Sequence, residues 1–305
     1  MESKVGFEVV GGKLAGLLAE PGVTDLLVNG HGQVWLQRGG VLSPIASPFE
    51  SEFELAQLAQ EIIASGGRHL DQANPFADVS VGGLRVHAAI ASGCNSQTLL
   101  SIRVHSGRLY GLKQLFDFGM FDAQQLEELR QMISRRESFL IAGPTGSGKT
   151  TLLRAMLAEC ANERIIALED VAELNLQGGH FISLQTRQAN IEGRGEITLD
   201  RLVREALRMR PDRLAVGEVR GVELLTMLQA LNTGHSGAGA TIHANSVQHV
   251  AARVNAIGLS AGISEKQLAS QLRSAFSWVL QVQNRKLVQI AAAEKVFELG
   301  NDASR

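Results

Sequence analysis

The sharpest chemistry in the chain belongs to eight consecutive residues, Gly143-Pro144-Thr145-Gly146-Ser147-Gly148-Lys149-Thr150, spaced as GxxxxGK[ST]. Holding a phosphate chain requires backbone N–H groups converging on an anion, a cation that reaches the outer phosphates, and a hydroxyl for a divalent metal. This spacing supplies all three. Gly143, Gly146 and Gly148 permit close approach of the backbone, Lys149 reaches the outer phosphates, and Thr150 ligates Mg²⁺. Pro144, Thr145 and Ser147 complete the loop. The apolar strand expected at Ser138–Ala142 precedes it, and the helix expected at Thr151–Ala161 points its positive end at the anion. The ligand this arrangement implies is ATP with Mg²⁺.

Three further segments carry groups that a bound triphosphate could use. Arg164-Ile165-Ile166-Ala167-Leu168-Glu169-Asp170 is an apolar strand ending in carboxylates, where open α/β sheets bind ligands. Glu169 there could orient or deprotonate an attacking water. Leu214-Ala215-Val216-Gly217-Glu218-Val219-Arg220 has the same design, and its Glu218 would hold Mg²⁺ through water or share the base role with Glu169. The glycine-rich run Gly234-His235-Ser236-Gly237-Ala238-Gly239 leads into Ala240-Thr241-Ile242-His243, whose terminal His243 could sense the γ-phosphate.

Positioning these groups requires strands that end on one side of a sheet. From Asp122 onward, helices and short apolar strands alternate. A helix capped by Asp122, with Gln125 at the capping-box position, runs to Arg135 and leads into Ser138–Ala142. Strands at Ile165–Leu168, Leu214–Gly217 and Ala240–His243 are separated by helices at Leu199–Arg208 and Val222–Leu231, and a helix at Val247–Ile257 follows. This pattern predicts an α/β domain at 122–305, built on a mostly parallel sheet with helices on both faces. Residues 1–105 differ. Strands at Asp25–Asn29, Gln33–Arg38, Leu84–Ile90 and Leu99–Val104, with a helix at Glu52–Ala64, predict a smaller α+β domain. The aperiodic stretch 106–121 reads as the linker between them.

The bulk properties exclude several classes. The chain has 305 residues, 29 Lys+Arg against 31 Asp+Glu and a net charge of -2, so no global basic field holds nucleic acid or anionic lipid. Its two cysteines, Cys94 and Cys160, form no metal-ligand pattern and are expected to be reduced and packed. No apolar run reaches the length of a spanning helix and the first residues lack a signal-peptide pattern, which predicts a cytoplasmic location.

Taken in order, the four segments, with Arg208-Met209-Arg210-Pro211-Asp212-Arg213 before the third, resemble the secretion-system ATPase superfamily of type II and type IV secretion and type IV pili. The resemblance spans about residues 15 to 285, because Val23-Thr24-Asp25-Leu26-Leu27-Val28-Asn29-Gly30 and Val34-Trp35-Leu36-Gln37-Arg38-Gly39-Gly40 look like that family's first strands. It implies a RecA-like P-loop NTPase domain behind a PAS-like N-terminal domain. It also implies that Glu169 and Asp170 form the Asp box, that Glu218 belongs to an atypical Walker B motif, and that His243 ends the His box. Arg85 and Arg103 resemble the arginines with which the family's N-terminal strands neutralise the nucleotide. Extension ATPases of type II secretion usually carry a four-cysteine zinc module late in the chain, whereas this chain has only Cys160 there. The run from Arg-Pro-Asp-Arg to Thr-Ile-His-Ala-Asn-Ser is similar to the tight-adherence pilus and conjugal-transfer branch. By resemblance, the protein is a homohexameric motor. It works with inner-membrane platform proteins, associates peripherally with the membrane through them, and contacts no nucleic acid directly.

Three functions compete at this level. A pilus-assembly or secretion motor requires Mg²⁺-dependent hydrolysis, and the retained Glu169 and Glu218 favour it over a module that binds ATP only to set ring geometry. A conjugative DNA pump or other nucleic-acid motor would show DNA-stimulated turnover, and the near-neutral charge and lack of a basic/aromatic strand-binding stretch weigh against it.

Overall fold

The computed structural model describes residues 10–104, 109–176, 178–189 and 194–298, and the chain divides into two compact units. One is Met1–Arg108 with Arg187–Glu196; the other is Leu109–Thr186 with Ile197–Arg305.

In the first unit the elements run α1 (Gly11–Leu18), β1 (Val23–Asn29), β2 (Val34–Arg38), β3 (Val41–Ile45), α2 (Glu52–Ser65), β4 (Phe76–Val81), β5 (Leu84–Ala89) and β6 (Leu99–Val104). The strands form one antiparallel sheet in the order β3-β2-β1-β6-β5-β4. Strict alternation decides its inner face. Leu26, Val28, Leu84, Val86, Leu100 and Ile102 turn inward to a core shared with Leu14 and Leu18 of α1 and Leu55, Ala59, Ile62 and Ile63 of α2. Ser51 starts α2 by accepting a hydrogen bond from the Glu54 N–H at 3.2 Å. The same alternation puts Arg85 and Arg103 on the sheet's other face, directly opposite each other across the β5–β6 ladder. This is the α+β, PAS-like part of the chain.

The second unit contains α3 (Leu112–Asp117), α4 (Ala123–Ser134), β7 (Phe139–Gly143), α5 (Lys149–Ala158), β8 (Arg164–Glu169), β9 (His180–Gln185), α6 (Leu199–Leu207), β10 (Arg213–Val219), α7 (Glu223–Asn232), β11 (Gly239–His243), α8 (Val247–Ser260), α9 (Glu265–Ala275), β12 (Trp278–Gln283), β13 (Lys286–Ala292) and α10 (Ala293–Val296). Its sheet has the order β13-β12-β7-β11-β10-β8-β9 and is parallel except for the β12–β13 hairpin. The strands that bury both faces read as continuous apolar runs, with alternate residues feeding two separate cores. Leu140, Ala142, Leu214 and Val216 face a core built with α6, α7, α8 and α9. Phe139, Ile141 and Ala215 face one built with α3, α4 and α5.

Two expectations need correction. Residues 109–121 are not a free connection: they include α3, and Leu112, Leu115, Met120 and Phe121 are buried in the α5-side core. These apolar residues pack against α5, a tertiary contact with no periodic signature in so short a helix. Cys94 is exposed, whereas Cys160 is buried as expected. Residues 105–108, which include the beginning of the expected linker, lie outside the described residues. Among the described residues, no helix is long and apolar enough to cross a membrane.

Candidate nucleotide site

The phosphate loop forms where β7, buried along its whole length, meets α5. Gly146 and Gly148 adopt φ of 73° and 106°, conformations that side-chain-bearing residues rarely hold. Gly148 is the N-cap, so α5 begins at Lys149, two residues earlier than the sequence suggested, and Lys149, Thr150 and Thr151 form its first turn. Gly143 is required for a different reason. A Cβ there would collide with the Val282 carbonyl oxygen and lie 2.6 Å from Ser147 Oγ.

The ends of four parallel strands bring the reactive side chains together. Lys149 is buried, and its Nζ donates to the Pro144 carbonyl at 2.9 Å and lies 3.2 Å from His243 Nδ1. His243 Nε2 is 3.0 Å from Glu218 Oε1, and the other Glu218 oxygen accepts from Arg220 Nη2 at 2.6 Å. Arg220 also reaches Asp170 at 4.0 Å. The result is a relay, Lys149–His243–Glu218–Arg220, running from the start of α5 past the ends of β11 and β10. Thr241 Oγ1 donates to the Gly217 carbonyl at 2.6 Å, tying β11 to β10 at the site's edge.

Protonation follows from these contacts. Burial lowers the His243 pKa below the ordinary imidazole value; Glu218 opposes this, and the Lys149 and Arg220 charges reinforce it. His243 is therefore neutral at pH 7, with Nδ1 accepting from Lys149 and Nε2–H donating to Glu218. Burial also works against the Glu218 charge, but the hydrogen bond and charge of Arg220, aided by Lys149, bring its pKa below the usual carboxylate value.

Glu169 is the opposite case. It is buried, its Oε1 accepts from the backbone N–H groups of Glu173 and Leu174 at 2.9 and 3.0 Å, and its Oε2 has no partner. Burial dominates and pushes its pKa up to about 7, despite the two N–H donors and the Arg154 charge. The two carboxylates thus have separated affinities for a proton, the arrangement that divides acid–base work between like groups. Glu169 sits against Gly217, where a Cβ would stand 2.8 Å from Glu169 Cγ and 3.1 Å from Oε1. Gly217→Ala should therefore displace the carboxylate and slow turnover about 10²-fold, as an ångström-scale misplacement does. Phosphate-release kinetics check this, with nucleotide affinity expected to stay within about twofold because the phosphate loop is untouched.

These residues fit a nucleoside triphosphate with a divalent cation. The glycine cradle leaves room, Lys149 offers a buried cation, and the buried Ser147 Oγ and Glu169 Oε2 lack partners of their own. Thr150 on α5 and Glu218 on β10 carry side-chain oxygens of the kind a hard divalent cation takes, and they would hold it. Among the described residues no cluster of three or more His, Cys, Asp and Glu forms a resident metal site. Arg85 and Arg103 belong to the first unit, where Arg103 Nε donates to Asp25 at 2.9 Å. Sequence reasoning missed the partners Arg220 and Arg154; Arg220 stands only two residues past Glu218, a visible signal, whereas nothing in the sequence marks Arg154.

A seven-stranded sheet whose glycine loop opens onto α5, with carboxylates at the ends of neighbouring parallel strands, defines a RecA-like P-loop NTPase domain. Residues 17–299 match the family described as type II/IV secretion system protein, and the chain belongs to that family. A Mycobacterium tuberculosis protein named "Putative conjugal transfer protein" is 41% identical over 293 residues, covering 92% of this chain and 83% of that one. The conjugal transfer protein TrbB of Rhizobium radiobacter is 28% identical over 283 residues, covering 90% and 83%. Within the family the chain sides with this conjugal-transfer branch. In fold it is similar to the pilus retraction motor PilT solved with bound ADP, with a TM-score of 0.62 and 20% identity, covering 88% of this chain and 76% of that one.

Proposed function

We propose that the chain is an ATP hydrolase that powers a type IV secretion, conjugal-transfer or pilus-assembly apparatus at the cytoplasmic face of the inner membrane. The observation that carries this reading is the convergence of Lys149, His243 and Glu218 in one contact chain at the phosphate loop, with Glu169 at the end of the strand beside Glu218's. Lys149 neutralises the outer phosphates, Thr150 and Glu218 hold Mg²⁺, and Glu169 takes the proton of the attacking water. When bound, the metal neutralises charge that develops between the outer phosphates. His243, shared by Lys149 and Glu218, couples the phosphate-binding cation to the carboxylate that supports the metal. Glu169 is the better base of the two carboxylates, because a pKa near the working pH favours proton transfer.

Arg85 and Arg103 are assigned to charge neutralisation of the triphosphate. This assignment rests on the family resemblance of their strands; the two arginines stand opposite each other across the β5–β6 ladder, and Arg103 is held by Asp25. The family resemblance supports a homohexamer working with inner-membrane platform proteins. Native mass spectrometry of the nucleotide-bound chain tests the ring, and a monomer under all conditions would remove it.

Hydrolysis itself is tested by Mg²⁺-dependent phosphate release as a function of pH. The base acts only when deprotonated, so kcat/KM, which reports the nucleotide-free enzyme, should climb through an acid limb centred near pH 7 and level off above about pH 8. An acid limb near the ordinary carboxylate value would take the base role away from Glu169. DNA-stimulated turnover that fades with salt would move the reading toward a nucleic-acid motor.

A further inference from the structure

The side of the phosphate loop away from the carboxylates is closed by a hairpin that no motif announces. β12 lies beside β7 on the side opposite β11, and it joins β13 through the two-residue turn Asn284–Arg285, with φ of 47° and 61°. The Arg285 N–H donates to the Ser147 carbonyl at 3.0 Å, and a Cβ on Gly148 would stand 3.9 Å from Arg285 Cα. Neighbouring contacts fix the hairpin on both strands. The Leu287 N–H donates to the Met120 carbonyl at 2.7 Å, and Gln283 Nε2 donates to the Asn245 carbonyl at 2.6 Å. Arg285 is thus held against the phosphate loop by its backbone, while its side chain is exposed and makes no ion pair with a described residue.

Two observations give that side chain a role. Glu218, His243 and Glu169 all lie on the β11-β10-β8 side of β7. A triphosphate whose terminal phosphate meets them must run its α-phosphate the other way, toward β12 and its turn. The residue type is the second observation. Both positions of such a turn need positive φ, for which Asn suits the first and Gly is strongly preferred at the second. Arginine at the second position carries strain that glycine would avoid, and at this place beside the ligand loop a use for its side chain offsets that cost.

We propose that Arg285 is a nucleotide-binding residue whose guanidinium pairs with the α-phosphate. The planar guanidinium matches phosphate oxygens in a way that a point charge does not. The assignment rests on the ATP reading above, and the two are separable by experiment. ADP binding to the full chain is measured by calorimetry for the native protein, Arg285→Gly, Arg285→Lys and Lys149→Ala. Arg285→Gly relieves the turn and keeps the backbone N–H that holds Ser147, so its nucleotide-free melting temperature should rise. Its ADP affinity should nevertheless fall about tenfold, the loss of one charge-assisted contact. Arg285→Lys, which keeps the charge and loses the planar fork, should fall between the native chain and Arg285→Gly. The ratio of ATP to ADP affinity should stay unchanged in both, since the γ-phosphate lies at the other end. Native-like ADP affinity in Arg285→Gly, with binding lost in Lys149→Ala, overturns the assignment and leaves the P-loop reading standing. Binding indifferent to Lys149→Ala would overturn the P-loop reading itself.

Discussion

Glu169→Gln is expected to bind ATP as the native chain does and to hydrolyse it about 10²–10⁴-fold more slowly, the contribution of a positioned general base. The substitution is nearly isosteric, and the amide oxygen can still accept from the Glu173 and Leu174 N–H groups. What disappears is the proton acceptor. The same variant carries a second signature in the nucleotide-free protein. Glu169 has its pKa raised from 4.5 to about 7, so between those pH values the folded chain binds a proton that the unfolded chain releases. Stability contributed by this site is therefore present below about pH 4.5 and is lost as pH rises through about 7. Glu169→Gln removes the buried charge and should be more stable than the native chain at pH 8 by about 1–3 kcal/mol, a difference that vanishes at about pH 4, below the unfolded-chain pKa. Single-turnover hydrolysis and urea unfolding at the two pH values give the readings. Native-like turnover in the variant would end the assignment of Glu169 as base.

Lys149→Ala should abolish measurable turnover and weaken nucleotide binding together. A buried cation aimed at the outer phosphates acts in both the ground state and the transition state, and removing one such group costs about 10²–10³-fold in rate alone. This separates it from Glu169→Gln, which spares binding. A local consequence should also be visible without nucleotide. Burial lowers the His243 pKa, Glu218 raises it, and the Lys149 charge 3.2 Å away lowers it further. Without Lys149 the His243 pKa should rise, because Glu218 then opposes burial with only the Arg220 charge left to reinforce it. NMR titration of the imidazole would show the shift. An unmoved pKa would mean that the Lys149–His243 contact does not persist in solution.

Much of this was readable from local pattern. Gly146 and Gly148 encode the positive-φ turns of the phosphate loop, because glycine adopts φ above zero without a side-chain clash. The apolar runs that end at Glu169 and Glu218 encoded two buried strands with polar ends, and Asp122 with Gln125 encoded a helix start that the structure reproduces as a full capping box. Other elements left no such trace. β9 has only exposed and half-buried residues, and β3 is an almost wholly exposed edge strand, so neither carries a clean period. The helix α3 is too short for its two buried leucines to mark a face.

The chain by itself determined which residue types are available for phosphate, metal and proton transfer, since those depend on side-chain chemistry and on spacings within one loop or strand. Only the tertiary structure decided how they are divided. Strand order sets β11 between β7 and β10, which makes His243 the link from Lys149 to Glu218. Burial beside Gly217, with one oxygen left unpartnered, separates Glu169 from Glu218 although the sequence shows two equivalent strand-end glutamates. The β12–β13 turn reaches the phosphate loop from well over a hundred residues away along the chain. Desolvation and through-space charge depend on neighbours that lie far apart in sequence, and residue order alone contains neither.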